Sequence, residues 1–382
     1  MAEAYLVDAV RTPVGKRGGG LSGIHPTDLG AVVIEALVAR TGIDPVLVDD
    51  VIWGCVGQMG PQASNVGRIT ALSAGLPESV PGTTIDRQCG SSQQAVHFAS
   101  QAVLSGTADL VVAGGVEVMS QVPIASPTTI GLTSGMAHPR GGKRWAARFG
   151  DEEISQFRGA ELIAQKWDVQ RDRMEQFAYE SHQRALAATE AGLFEDEIVP
   201  TGGVSRDEGP RPGTTVEAMA GLLPISDGGR LTAALASQIS DGAAAILVAS
   251  ARAVREHGLT PIARVHSMAV VGSDPVLMLT GPIPATDALL RRSGLELGDI
   301  GTFEVNEAFA SVVLAWAAET GADLARTNPQ GGAIALGHPL GATGARLMTT
   351  LLHRMRRDGT RYGVQTMCEG GGMANGTLLE LV

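Results

Sequence analysis

Apolar and polar residues alternate along the chain with two different spacings. Residues 5–11, 51–56 and 110–113 are short apolar runs typical of buried strands, and the last of them precedes a glycine pair. Residues 28–39 and 92–104 instead place apolar side chains at the spacing of a helix. Short strands that alternate with helices predict an α/β fold with a covered sheet.

Part of the amino-terminal half recurs in the carboxyl-terminal half. Residues 106–115 resemble residues 359–368, since each segment follows a helical stretch and ends near a glycine pair. A chain of 382 residues also exceeds the size at which one core keeps growing. The similarity is weak taken alone, but it fits a duplicated βαβ half with the active site between the copies.

The segment between the two halves differs from both. Residues 120–142 are rich in Pro, Thr, Ser and Gly, residues 159–167 and 171–188 form a charged amphipathic pair, and residues 201–213 are again rich in Gly and Pro. Long insertions are commonly functional. This one could bind an anionic ligand or simply present a solvated surface with helical ion pairs; its basic residues include Lys143, Arg144, Arg148, Arg158, Lys166, Arg171 and Arg173.

Composition and charge exclude several classes of protein. The net charge of −11 gives no general attraction to nucleic acid or to an anionic membrane. No apolar run reaches the roughly 20 residues of a membrane span. Three cysteines without a Cys-x-x-Cys pair or a secretory leader predict a cytoplasmic, reducing location, and no Cys/His cluster has metal-ligand spacing.

Three reactive side chains lie on turns rich in small residues. Cys89 lies in residues 86–95, just before a helical stretch, His338 lies among the glycines of residues 331–344, and Cys368 opens Cys-Glu-Gly-Gly-Gly. Two thiols and an imidazole suggest acyl transfer through a covalent thioester. A buried apolar cysteine is the alternative for Cys89, and Cys55, inside an apolar run, is interpreted as that structural kind.

Five motifs in order make the chain resemble the thiolase superfamily, whose members include acyl-CoA acetyltransferases. They are Ala-Val-Arg-Thr-Pro-Val-Gly-Lys at residues 9–16, the Cys89 turn, Asn-Glu-Ala-Phe at 306–309, the glycine-rich stretch 331–344, and Cys-Glu-Gly-Gly-Gly at 368–372. The resemblance covers nearly the whole length.

The resemblance implies a layered α/β fold of duplicated αβαβα halves with an inserted loop domain. The amino-terminal half would comprise residues 1–117 and 238–260, the coenzyme A-binding loop domain residues 118–237, and the carboxyl-terminal half residues 261–382. It further implies assembly as a homodimer or homotetramer.

The same resemblance assigns roles to individual residues. Cys89 would be the nucleophile, Cys368 the acid/base cysteine and His338 the activating histidine. One oxyanion hole would combine His338 with a water held by Asn306, and the other would use the backbone N–H groups of Cys89 and Gly370. The helix amino terminus and the imidazole are expected to favour the thiolate of Cys89.

Coenzyme A is implied as a co-substrate, with acyl-CoA as its partner and no tightly bound cofactor or metal. Arg211 would bind the nucleotide end and Ser237 would lie near the pantetheine. Ala308 and Phe309 would line the narrow tunnel to the thiols.

The resemblance implies cleavage of a 3-ketoacyl-CoA by CoA to acetyl-CoA and a shortened acyl-CoA, or the reverse Claisen condensation. A decarboxylating ketoacyl synthase-like enzyme and a non-catalytic thiolase-like lipid-binding protein are the alternatives. The former uses two histidines and the latter would lack catalytic groups, whereas Cys89, His338 and Cys368 are all present.

Three departures from short-chain members bear on the substrate. Residues 155–157 read Ser-Gln-Phe where many short-chain members carry His-Met-Gly. Residues 238–242 read Gln-Ile-Ser-Asp-Gly where those members read Gly-x-Asn-Asp-Gly, and Glu369 stands where an aliphatic residue is usual. These differences resemble the branch that acts on bulky acyl chains, including steroid side chains in actinobacteria. The pattern assigns no role to Glu369.

Overall fold

A computed structural model describes residues 2–382. Within this range ten strands join in one mixed sheet: β1 (Ala4–Arg11), β2 (Gly15–Lys16), β3 (Asp50–Gly54), β4 (Gly82–Ile85), β5 (Leu110–Val118), β6 (Ser240–Ser250), β7 (Ala263–Gly272), β8 (Thr302–Val305), β9 (Tyr362–Glu369) and β10 (Met373–Leu381).

Helices connect the strands and cover the sheet. They are α1 (Pro26–Thr41), α2 (Val66–Ser73), α3 (Ser91–Ser105), α4 (Ser126–Thr133), α5 (Lys143–Phe149), α6 (Gln156–Lys166), α7 (Arg171–Glu190), α8 (Val216–Ala220), α9 (Ala251–Glu256), α10 (Pro282–Ser293), α11 (Ala310–Thr320), α12 (Ala333–Leu336) and α13 (Leu340–Asp358). Short 3₁₀ turns lie at Pro45–Leu47, Gly60–Gln62, Ala233–Leu235 and Leu297–Asp299.

The sheet repeats one pairing pattern, which confirms the predicted duplication. In the first copy β3 pairs with β5 in parallel, β5 pairs with β6 antiparallel, and β6 pairs with β1 antiparallel. In the second copy β8 pairs with β9 in parallel, β9 pairs with β10 antiparallel, and β10 pairs with β7 antiparallel. The similar segments 106–115 and 359–368 lead into β5 and β9, which hold equivalent places. The two copies meet where β1 pairs with β7.

Two helices, one from each copy, form the middle layer. Helix α13 packs against α3 and against strands of both copies, and all its residues from Leu340 to His353 are buried. One apolar cluster joins both helices to the sheet, and two further clusters fill the outer layers beneath α1 and beneath α10 and α11. This is the predicted layered α/β fold, and it brings the amino ends of α3 and α13 together.

Glycine allows the backbones of the middle layer to approach closely. A Cβ atom built on Gly344 of α13 would lie 2.7 Å from Cβ of Gln93 in α3, and one on Gly54 would lie 2.7 Å from the carbonyl oxygen of Gly341. Neither of these two atoms can move away easily, because one is a backbone oxygen and the other is a Cβ atom bonded directly to the backbone.

The structure changes one local prediction. The strand expected over residues 110–113 continues to Val118, because Gly114 pairs within the sheet at a place where a side chain would overlap the carbonyl of Ala244. Residues 120–142, the segment rich in Pro, Thr, Ser and Gly, contain α4. Helices α4 to α8 all fall between β5 and β6. Across residues 2–382, no helix combines the length and apolar character needed to cross a membrane.

Candidate active site

Cys89 lies in a tight turn between β4 and α3. Gln88, immediately before it, adopts φ of 50°, a left-handed conformation that costs a non-glycine residue roughly 1–3 kcal/mol. The hydroxyl of Ser91 holds this conformation, since it accepts from the backbone N–H of Arg87 at 2.9 Å and donates to the carbonyl of Gln88 at 2.6 Å. The turn therefore directs Cys89 from the amino end of α3.

The Cys89 side chain opens into a pocket of about 520 Å³ that Gly370 and Ala308 also line. Burial, followed by the charge of Glu369, raises the pKa of the Cys89 thiol to about 12, although the backbone N–H groups of Gly370 and of Cys89 act in the opposite direction. Burial and Glu369 thus act against the thiolate that the helix end and the imidazole were expected to favour.

Cys368 lies in β9, opposite Ala374 of β10, and its side chain is fully buried. Burial raises the pKa of the Cys368 thiol well above its usual value, and the nearby charges of Cys89 and Glu369 raise it further. The effect of the Cys89 charge on Cys368 is consistent with the two thiols lying near each other. A thiol held protonated in this way suits proton donation.

His338 lies at the turn before α13, with its ring buried. Its Nδ1 is 2.6 Å from the hydroxyl oxygen of Thr343, and that hydroxyl donates to the carbonyl of Pro339 at 2.8 Å. Because the hydroxyl hydrogen is thus engaged, we assign the ring hydrogen to Nδ1, which leaves Nε2 as a base. Burial, followed by the charge of Arg346, lowers the pKa of His338 to about 3, so the imidazole is neutral.

Asn306 faces the same imidazole. Its Nδ2 lies 3.5 Å from Nε2 of His338, and its backbone N–H donates to the carbonyl of Thr366 at 3.1 Å. Among residues 2–382, its buried Oδ1 has no hydrogen-bond partner. A buried amide oxygen of this kind can hold a water molecule.

Glu307 fixes the glycine-rich turn beside His338. Its buried carboxylate accepts from the hydroxyl of Ser181 at 2.7 Å, the amide of Asn328 at 2.9 Å and the backbone N–H of Ile334 at 3.2 Å. A side chain on Gly332 would overlap this carboxylate. The Asn-Glu-Ala-Phe motif therefore supplies a reactive-site amide and a structural anchor from adjacent residues.

The residues expected to contact coenzyme A divide into two groups. The backbone N–H of Ser237 donates to the carbonyl of Ala308 at 2.9 Å, and the ring of Phe309 meets that of Phe157 edge-on at 5.6 Å. Of these three residues Ala308 lines the Cys89 pocket, whereas Ser237 and Phe309 lie beside Ala308 and are not among the lining residues. Arg211 is exposed, with its backbone N–H bonded to His182, and is not among the described residues that line the pocket.

Sequence reasoning missed two polar groups. Thr343 is one. It lies four residues after Pro339 on a helix, so its side chain could have been expected on the same face as the turn that carries His338. Glu117 is the other: it is buried in β5 and accepts from the backbone N–H groups of Val56, Gly57 and Gly341 at 2.9, 3.0 and 2.9 Å. A lone carboxylate inside an apolar strand was the available signal.

Sequence reasoning also missed most of the apolar wall of the pocket. Its members come from α4 and its flanks, the segments before α6 and α10, the start of α13 and the start of β10: Pro123, Ile124, Pro127, Ile154, Met278, Leu279, Leu340 and Met373. These positions are scattered through the chain, so no local motif marks them.

Other candidate groups are structural. Cys55 is fully buried, and burial, followed by the charge of Glu117, raises the pKa of its thiol. His97 is also buried, with Nε2 2.8 Å from the hydroxyl of Thr377. Arg158 and Arg171 of the inserted segment pair with Glu152 and Glu175. No group of three His, Cys, Asp or Glu side chains in the described chain is arranged to hold a metal ion.

The chain belongs to the thiolase family. The family's amino-terminal domain matches residues 4–252 and its carboxyl-terminal domain matches residues 259–381. The chain is 60% identical to the steroid 3-ketoacyl-CoA thiolase FadA6 of Mycobacterium tuberculosis, over 100% of this chain and 94% of that protein. It is 42% identical to a 3-ketoacyl-CoA thiolase of Escherichia coli, over the full length of both.

A solved structure carries the same fold. The acetyl-CoA acetyltransferase of Bacillus anthracis superimposes with a TM-score of 0.91 at 35% identity, covering 100% of this chain and 99% of that chain. The duplicated thiolase fold inferred from the motifs is thereby confirmed.

Proposed function

We propose that this protein is an acyltransferase that cleaves 3-ketoacyl-CoA with CoA, yielding acetyl-CoA and an acyl-CoA shortened by two carbons. One observation supports the proposal: Cys89 and Gly370 line one pocket, and the charge of Cys89 raises the pKa of the buried Cys368 thiol. A nucleophile, a proton carrier and an oxyanion donor are the three groups that carbon–carbon thiolysis requires.

In the first half-reaction the Cys89 sulfur attacks the 3-keto carbon. Nε2 of His338 is free to accept the thiol proton, after which its N–H can donate to developing negative charge alongside a water on Asn306. The bond between C2 and C3 breaks, the acyl group stays on Cys89, and the acetyl-CoA enolate takes a proton from Cys368. Each oxyanion donor is worth a few kcal/mol of barrier in typical enzymes.

In the second half-reaction the Cys368 thiolate takes the proton of the incoming CoA thiol. The CoA sulfur attacks the thioester carbonyl, whose oxygen lies toward the N–H groups of Cys89 and Gly370, and Cys89 leaves and recovers its proton. In the reverse direction Cys368 removes the α-proton of acetyl-CoA, and the carbanion condenses with acyl-Cys89.

The acyl substrate is proposed to be bulky, of the steroid-derived kind. The 60% identity to a protein named as a steroid 3-ketoacyl-CoA thiolase supports this. The pocket at Cys89 supports it too, because side chains from five separate segments wall a volume of about 520 Å³. Phe157, where many short-chain members carry a glycine, meets the ring of Phe309 edge-on, next to the pocket residue Ala308.

The domain division and the assembly stay proposals. We propose that residues 118–237 form the loop domain that binds coenzyme A, and that β6 and α9 return the chain to the amino-terminal half. Arg211 is proposed to meet the nucleotide end, and Ser237 and Ala308 the pantetheine. A homodimer or homotetramer in the cytoplasm remains the expected state.

The test compares 3-ketoacyl-CoA substrates of graded length and ring content, with CoA, by measuring acetyl-CoA release. We expect release from all that bind, with the highest kcat/KM for ring-bearing or branched acyl groups. Cys55→Ala, a cysteine change outside the site, is the matched control for Cys89→Ala. Absence of acetyl-CoA from every substrate would refute thiolysis, and preference for acetoacetyl-CoA would refute the bulky-substrate assignment.

A further inference from the structure

Glu369 is a buried acid that the reaction scheme above does not use. It follows Cys368 in β9, and its side chain is fully buried. Its charge raises the pKa of both Cys89 and Cys368. A carboxyl near two reacting thiols opposes the ionisation on which both depend.

The carboxyl packs directly on the nucleophile turn. A Cβ built on Gly90, the residue after Cys89, would overlap Oε1 of Glu369, and the three nearest atoms it would meet all belong to Glu369. The backbone of Gly90, with φ of −87° and ψ of 10°, is open to any residue. Glycine is therefore required here by the Glu369 side chain and not by backbone conformation.

One oxygen of the carboxyl is held and the other is not. With its amide oriented to satisfy both ends, Asn375 donates to Oε1 of Glu369 at 3.1 Å and accepts from the backbone N–H of Gln94 at 3.2 Å. Asn375 thus ties β10, Glu369 and helix α3 together. Within residues 2–382, Oε2 is buried without a hydrogen-bond partner, as suits a carboxyl that carries a proton part of the time.

The surroundings favour a proton on this group. Burial raises the pKa of Glu369 to about 8, while Arg87 and the backbone N–H of Asn375 lower it and Asp86 raises it. The other titratable groups that face it are Cys89 and Cys368; α3 and β10 contribute the neutral amides of Gln94 and Asn375. At neutral pH the carboxyl is thus largely neutral, and it gains charge in the range where thiols begin to ionise.

We propose that Glu369 is a positioning residue of the thiolase reaction: its carboxyl buttresses the Cys89 turn through Gly90, and its state of protonation sets how readily Cys89 and Cys368 lose their protons. The neutral carboxyl fixes the turn without opposing the thiolates. The ionised carboxyl opposes them, so the two thiols keep their protons to a higher pH. The inference rests on the roles proposed above for the two cysteines.

The test is alkylation of Cys89 by iodoacetamide without acyl-CoA, followed by peptide mass spectrometry between pH 6.5 and 9.5. The thiolate sulfur displaces iodide, so the rate follows the thiolate fraction and does not require turnover. We expect Glu369→Gln to match the wild type at pH 6.5 and to react severalfold faster at pH 9.5, where the wild-type carboxyl is charged.

A ratio of the two rates that stays constant with pH would overturn the proposal. Alkylation does not require catalysis, so this result would not argue against the proposed thiolysis. Conversely, the alkylation rates can still be interpreted if thiolysis is not observed.

A second pair of variants tests the buttress even where Glu369→Gln folds poorly. Gly90→Ala should lower the melting temperature in the wild type, because the new methyl group meets the Glu369 carboxyl. In a Glu369→Ala background the same change should cost little, since the three atoms it meets are gone. An equal loss in both backgrounds would overturn the packing role.

Discussion

The imidazole Nδ1 of His338 lies 2.6 Å from the hydroxyl oxygen of Thr343, one turn further along the same segment. This contact assigns the hydrogen to Nδ1 and leaves Nε2 as the base that faces Asn306. We therefore expect Thr343→Val to lower kcat by roughly tenfold to a hundredfold, within the range of a lost acid–base function. Thr343→Ser keeps the hydroxyl and should retain most of the rate. Steady-state kinetics of both variants would decide; equal activity of Val and Ser would contradict the assignment.

Replacement of Cys89 by Ala should abolish the covalent intermediate. Because the thioester is proposed to form on this sulfur, intact-protein mass spectrometry after incubation with 3-ketoacyl-CoA should show no acyl adduct and turnover should vanish. The Cys55→Ala protein should still become acylated. An adduct that persists in Cys89→Ala would exclude Cys89 as the nucleophile.

Cys368→Ala separates the two kinds of chemistry. Acyl transfer from a reactive acyl-CoA to Cys89 needs no proton on carbon, so some acylation should survive, whereas carbon–carbon cleavage should fall by at least the ~10²-fold typical of general acid catalysis. Acylation is read by mass and cleavage by acetyl-CoA release. Parallel loss of both would argue that Cys368 serves the nucleophile instead.

The acid side of the pH–rate profile tests the state of His338. An exposed imidazole gains a proton near pH 6.5, but burial lowers the pKa of His338 to about 3, so the ring stays neutral as the pH falls from 8 to 5. We expect the plot of wild-type kcat/KM against pH to show no inflection near pH 6.5 that is due to His338. An inflection at that pH that disappears in His338→Gln would mean that the imidazole is charged in the free enzyme.

Gly344→Ala should destabilise the fold by about 1–3 kcal/mol, as overpacking commonly does. The added methyl group would lie 2.7 Å from Cβ of Gln93, where α13 crosses α3. Gly298→Ala is the matched control, because a Cβ there meets no described atom within 4 Å. Chemical denaturation measures both; similar free energies of unfolding would show that the crossing can widen.

Local pattern was enough to predict much of the architecture. The strand at β1 and the helices at α1 and α3 were predicted within a few residues, because β1 is a short apolar run buried on both faces and the helices place apolar residues at helical spacing. The repeat of residues 106–115 in 359–368 identified β5 and β9 as equivalents. Gly114 marked a predicted strand end but lies inside β5, since the glycine serves close contact with β6 and not a turn.

The electrostatics of the site could not be predicted in the same way. The ionisation of Cys89 depends on burial and on Glu369, a residue 280 positions away, and neither effect can be read from the local sequence around the cysteine. The hydrogen-bond state of His338 depends on where the Thr343 hydroxyl points. Both are properties of assembled layers, which no spacing of residues encodes.

The arrangement of the middle layer also has a consequence for synthesis. The proposed nucleophile lies in the first copy and the proposed proton carrier in β9 of the second, and β10, which pairs along β9, ends at Leu381. A chain emerging from the ribosome therefore holds Cys89 long before it holds Cys368. Translation products that stop before β9 and β10 are expected to lack the proposed activity.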